Sequence, residues 1–297
     1  MLYMIRHTTT YKYRADVSTA RCVLHLLPIS GGNQLVHAAE LSIEPAPVER
    51  IDGLDFFGNQ ISHVRFAAPA RRHRFESSLR VEVRPSELVH ALLTPDWREA
   101  RDDALSIPDL SAASPAHYLF GSRYVPLLDA ARDYATRSFS AGRPVLDAAM
   151  ELMTRIRSDF VYDPEATDVS TPLQEMYEKR HGVCQDFAHW MISGLRALGL
   201  PAAYVSGYLR TRPPPGKKRL VGADATHAWV SIWCGTGVGW VELDPTNALV
   251  VGEDHVRLAF GRDYADVAPV DGVIMASAGH TLAVSVDVAP SVREPCS

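Results

Sequence analysis

Cysteine is scarce. The 297 residues hold four, Cys22, Cys184, Cys234 and Cys296, and none stands in CxxC spacing. That argues against a disulfide framework and offers no zinc-ligand pattern, so no metal is expected. Reduced thiols in a cytoplasmic protein fit better. No apolar run approaches the roughly 20 residues that a transmembrane helix needs. The opening MLYMIRHTTTYKYR lacks the apolar centre of a signal peptide and reads as a strand. Neither sign of charge dominates. A net charge of −5 at pH 7 gives no reason to expect nucleic acid or an anionic membrane as partner. There is also no internal repeat and no low-complexity tract.

What is present is an ordinary globular composition, 46% apolar and 22% charged, enough to bury a core without staples. Residues 1–90 read as strands and turns. Thr8 to Tyr13, Cys22 to Leu27, Ala38 to Ile43 and Leu79 to Val83 carry β-branched or apolar residues. Turn clusters such as Ser30-Gly31-Gly32-Asn33 and Gly58-Asn59 separate them. This predicts an N-terminal β-sandwich. Residues 91–123, with Pro95, Pro108 and Pro115, read as a connection with at most short helices.

From residue 124 to 297 a second domain is expected. Pro126 to Phe139 and Pro144 to Phe160 have helical spacing and open at a proline. Leu173 to Arg180 is a third short helix. The stretch RHGVCQDFAHWMISGLRALGL predicts a fourth, with Phe187, Ala188, Met191, Ile192, Leu195 and Leu198 on its apolar face and Gly199 and Pro201 as its stop. Strands then return at Ala202 to Leu209, Ala228 to Trp233, Trp240 to Leu243 and Leu282 to Val288. Strands, helices, then strands is α+β organisation.

Cys184 opens the fourth helix and falls off its apolar face. A lone cysteine is more often a small buried hydrophobe than a nucleophile. A helix start, however, favours a thiolate, and its free N–H groups can receive an oxyanion. Gly182 is expected to allow a tight turn and close approach of a substrate. Asp186 reads as a cap in the first turn.

A nucleophilic cysteine needs a base and a group to orient that base. DATHAWVSIWCGTGVGWVELDPTN supplies both. If Cys234 pairs with Gly239 across a four-residue loop, His227 lies opposite Thr246. Asp244 then points to the same face and is a diagonal neighbour of His227. His181 is a weaker candidate base. Cys234 has the opposite parity and should face away.

GVCQDFAH, LPAAYVSGYL, DATHAWV and GWVELDPTN together resemble the bacterial transglutaminase-like proteins of the papain-like cysteine protease superfamily. HTTTYKY at the start and GRDYADVAPVDGV near the end look like further parts of the same family. The resemblance implies a papain-like core, with helices packed on an antiparallel sheet, behind an N-terminal β domain. It implies a Cys184–His227–Asp244 triad acting on peptide or protein amides without a cofactor. Water would resolve the thioester in a hydrolase, an amine in a transamidase. A silent peptide-binding member and a thiolate–imidazole metal site are the other readings. Tyr162 and Gln174 are candidate second donors to the oxyanion, and Trp229 a candidate cleft wall. The basic loop Arg210 to Leu220, with Arg212, Lys217, Lys218 and Arg219, reads as a solvated loop or a binding site for a carboxylate. Oligomeric state is left open.

Overall fold

The computed structural model describes residues 1–167, 171–211, 226–275 and 279–291. Six strands come first: β1 (Leu2–Val17), β2 (Thr19–Leu27), β3 (Gln34–Glu44), β4 (Glu49–Leu54), β5 (Gln60–Phe66) and β6 (Ala70–Val83). A helical stretch follows with α1 (Trp97–Ser106), α2 (Asp129–Thr136) and α3 (Val145–Asp159). Next come β7 (Val161–Tyr162), α4 (Leu173–Lys179), β8 (His181–Gly182) and α5 (Cys184–Ala197). The chain then forms β9 (Ala202–Leu209), β10 (Thr226–Trp233), β11 (Trp240–Asp244), β12 (Leu249–Val250) and β13 (His255–Gly261). It ends with α6 (Tyr264–Val267), β14 (Val270–Met275) and β15 (His280–Ser291).

Period two governs the first strands. In β1, Tyr3, Ile5, His7 and Thr9 are buried while Met4 and Arg6 are exposed. The antiparallel sheets β15-β1-β6-β3 and β14-β2-β5-β4 form from these strands. Tyr13, Leu41 and Phe75 of one sheet meet Leu24, Val64 and Phe66 of the other in a shared apolar cluster.

The last two strands depart from expectation. They were assigned to the second domain, yet β15 pairs with β1 from Leu2↔Ser291 to Tyr13↔His280, and β14 pairs with β2. Residues 124–297 are therefore not one continuous unit. A strand's own sequence carries its face pattern but not the identity of its partner.

The core sheet runs β12-β11-β10-β9-β13, all antiparallel. Helix α5 lies against it, buried at every position from Asp186 to Arg196. Burial of side chains such as Phe187, Met191 and Leu195 is worth about 1.5–3 kcal/mol each. At Gly194 an added Cβ would stand 2.9 Å from Ala135 Cβ and 3.0 Å from Ala131 O, so the glycine sets how closely α5 packs on α2. The stop is as expected: Gly199 has φ +82° and Leu200 N–H returns to Leu195 O at 3.0 Å. A separate cluster joins the core sheet to the N-terminal strands, with Tyr208, Val256 and Leu258 against Tyr3, Val81 and Val288. Among the described residues, no helix is long and apolar enough to cross a membrane.

Candidate active site

Helix α4 ends at Arg180, which takes the left-handed conformation with φ 59°. The chain then runs beside β7, with Tyr162 paired to Gly182, and α5 begins at Cys184. Buried Asp186 fixes this entry as a cap. Its Oδ2 accepts from Val183 N–H at 2.8 Å and from Thr167 Oγ1 at 2.6 Å. The reason for Gly182 differs from the one expected. The left-handed turn falls on Arg180. At Gly182 a Cβ would stand 2.9 Å from Asp186 Oδ2 and 3.0 Å from Met176 Cγ, so the protein itself occupies that space. Cys184 is part-buried and its thiol is free. Its N–H lies in the first helical turn, where the helix offers no acceptor.

The hairpin that carries the other two residues has the expected register. Val230↔Leu243, Ser231↔Glu242, Ile232↔Val241 and Trp233↔Trp240 pair, and Cys234 N–H donates to Gly239 O at 2.8 Å. His227 Nε2 and Asp244 Oδ2 are consequently 2.8 Å apart. Asp244 ends β11, yet it is fully buried rather than left open at a strand tip. Oδ1 accepts from the N–H groups of Thr246 at 2.9 Å and Asn247 at 3.1 Å. Oδ2 also takes the Asn247 amide at 2.7 Å and His255 Nε2 at 3.1 Å. A carboxylate only accepts, so His227 carries a proton on Nε2. Nδ1 is the nitrogen left for Cys184, whose thiol is near enough to raise the pKa of the imidazole.

The electrostatics follow from this packing. Burial lowers the His227 pKa, but the hydrogen bonds and charges of Asp244 and Cys184 outweigh it and raise it to about 10. Burial raises Asp244, but the hydrogen bonds of His227, His255 and Asn247, with the His227 charge, hold it well below the usual carboxylate range. Cys234 is buried away from the site, and burial pushes its thiol up to about 12.

The other candidates divide. Tyr162 is half exposed, and its phenol is pushed up first by burial and then by the charge of Cys184. Gln174 is exposed on α4 and donates one amide N–H to Glu178 at 2.8 Å. Trp229 is fully buried behind His227, with ring centres 6.1 Å apart. Its Nε1–H donates to Glu242 at 2.8 Å, so it backs the site instead of lining an open cleft. Gly207 makes room for that ring, since a Cβ there would meet it at 2.4 Å. His181 is exposed and faces Asp163 at 3.7 Å. Arg210 pairs with Asp254 at 3.3 Å. Arg212, Lys217, Lys218, Arg219 and Cys296 lie outside the described residues.

Asn247 and His255 had no assigned role in the sequence reading. Asn247 sits in the quoted DPTN run, and an Asx-type turn after Asp244 was a usable signal. His255 had none, because its contact depends on β13 lying next to β9. His227, Asp244 and His255 bring three possible ligand atoms within 4.8 Å of one another. Two ligands of a tetrahedral zinc ion stand about 3.3 Å apart. The 2.8 Å between His227 and Asp244 is a hydrogen-bond separation instead. A cavity of about 800 Å³ between the N-terminal strands and the core is lined by Arg84, Trp240, Glu242, His255 and Arg257, among others, and reaches the site only at His255.

Residues 132–245 match the transglutaminase-like superfamily, and residues 3–82 match the bacterial transglutaminase-like N-terminal region. An uncharacterized protein of Mycobacterium tuberculosis is 37% identical over 295 residues, spanning 97% of this chain and 92% of that protein. A protein-glutamine gamma-glutamyltransferase of Pseudomonas aeruginosa is 35% identical over 88 residues, 29% of this chain and 13% of that one. The crystal structure of "a Putative Cysteine Protease" from Cytophaga hutchinsonii superposes with a TM-score of 0.73 at 22% identity, over 99% of this chain and 93% of that chain. That last likeness is one of fold.

Proposed function

For a chain that belongs to the transglutaminase-like superfamily, we propose a cofactor-independent cysteine hydrolase acting on peptide or isopeptide amides. One observation carries the reading. A helix-start thiol raises the pKa of an imidazole whose Nε2 is 2.8 Å from a buried carboxylate. His227 Nδ1 takes the thiol proton, and Cys184 Sγ attacks the amide carbonyl. The C–S bond forms as the carbonyl π pair moves onto oxygen. The Cys184 N–H receives that oxyanion, and the Tyr162 hydroxyl serves as the second donor. Collapse breaks the C–N bond, and His227 returns its proton to the leaving amine. His227 then deprotonates a water that attacks the thioester, which releases the acid and restores the thiol. Asp244 holds the productive tautomer and stabilises the imidazolium throughout.

The test is iodoacetamide alkylation of the folded protein at pH 6, with Cys184 followed by peptide mass spectrometry. Cys184 should react well ahead of a free thiol, whose pKa is about 8.5, and His227→Ala should abolish the advantage. Reaction no faster than glutathione would sink the reading. The match to a gamma-glutamyltransferase favours a second outcome, in which an amine replaces water at the thioester. A glutamine peptide incubated with a primary amine separates the two: acid product means hydrolysis, new amide means transfer.

A further inference from the structure

We propose that His255 is a positioning residue that shares the Asp244 carboxylate with His227 and moderates the basicity of the catalytic imidazole. The inference rests on the triad reading above.

His255 opens β13, opposite Leu209 of β9, and is buried. Its Nε2 lies 3.1 Å from Asp244 Oδ2, the same oxygen that His227 Nε2 meets at 2.8 Å. Both nitrogens must donate, because the carboxylate can only accept. The two imidazoles differ on their other side. His227 Nδ1 is the nitrogen left for the Cys184 thiol, which raises the pKa of the ring. His255 Nδ1 is buried without a protein partner, and the His255 ring stands edge-on to Trp229 at 5.2 Å. His255 is thus a fixed Nε2–H donor to the same carboxylate oxygen that His227 uses.

Two consequences follow. The bond from His255 pins Oδ2 in line with His227. It also draws on the charge that Oδ2 offers, so His227 feels a weaker anion than an unshared Asp244 would present. The ionisable groups packed against His227 are Cys184 from α5, Asp244 from β11 and His255 from β13. Glu242 stands one step away, held by Trp229 Nε1 and by Arg257 at 3.1 Å.

The test uses iodoacetate on the full chain. This anion reacts fastest while His227 is charged, so its rate with Cys184 falls along a basic limb as the imidazolium loses its proton. In His255→Phe the limb should move upward by about one pH unit. In His255→Gln, whose amide N–H can still reach Oδ2, it should return most of the way. A folded His255→Phe with an unmoved limb, or a His255→Gln displaced as far as it, overturns the proposal and leaves the triad standing. A wild-type protein with no limb that His227→Ala removes overturns both. Ring ¹⁵N resonances of the wild type give a check that needs no variant. His255 Nε2 should carry its proton at every pH where the protein is folded, and a native His255 ring with a bare Nε2 refutes the idea.

Discussion

Replacing Asp244 by Asn tests the site at its most connected atom. In the native protein Oδ2 meets three donors, His227 Nε2, His255 Nε2 and Asn247 Nδ2, and Oδ1 meets two backbone N–H groups. An asparagine keeps the two backbone bonds but sets an NH₂ against three N–H groups. Relief requires His227 to move its proton to Nδ1, the nitrogen that should receive the thiol proton. Removing one partner of a buried charged pair costs about 3–5 kcal/mol. A chain of 297 residues has an unfolding entropy of about 0.6 kcal/mol/K, so Tm should fall by about 5–8 °C. The effect on charge is larger. His227 is raised to about 10 by its partners against the lowering effect of burial. Without the carboxylate it should fall to its ordinary value near 6.5 or below. At pH 8 the imidazolium fraction then drops from about 99% to about 3%, roughly 30-fold. Iodoacetate alkylation of Cys184 against pH reads this directly. A folded Asp244→Asn protein that keeps its basic limb within half a pH unit of the wild type refutes the reasoning.

Stability itself should depend on pH through the same group. The His227 pKa is raised on folding, so its contribution is complete below the unfolded value near 6.5 and is lost as pH rises through about 10. The urea midpoint should therefore decline between pH 7 and 10.5, and His227→Gln should flatten the decline. Gly182→Ala should destabilise by about 1–3 kcal/mol and slow Cys184 alkylation, because the new Cβ drives against the Asp186 cap. Gly194→Ala should cost a similar amount at the α2–α5 contact, yet leave the alkylation profile in place. An altered profile would mean that this contact also sets the thiol. Deleting residues 280–297 should remove more than a tail. Twelve paired positions of β1 lose their neighbour, and soluble yield after expression should collapse.

The sequence was most informative where local chemistry dictates geometry. The turn at Gly235 to Gly239 sets the β10–β11 register, and that register sets which face His227 and Asp244 share. Helix α5 was legible from its apolar spacing and its Gly-Pro stop. Strand β4 was not, because all six of its residues are exposed and leave no alternation to read. Strand β13 is buried on both faces, so it also lacks the period-two signature. Tyr162 comes near the start of α5 because β7 runs along β8, while Gln174 bonds a neighbour one helical turn away. The role of His255 needed the strand order itself, since no spacing brings β13 to Asp244.

The pairing of β15 with β1 and of β14 with β2 has a consequence for how the protein is made. The first six strands emerge from the ribosome with β1 and β2 each lacking a neighbour that is encoded near the far end. About 200 further residues must be added before β15 exists, which takes roughly 10–40 s at ordinary elongation rates. Through that interval the nascent chain displays two open strand edges. The N-terminal sheets can therefore close only after helix α5 and the β10–β11 hairpin are already outside the ribosome, so the part made first is finished last.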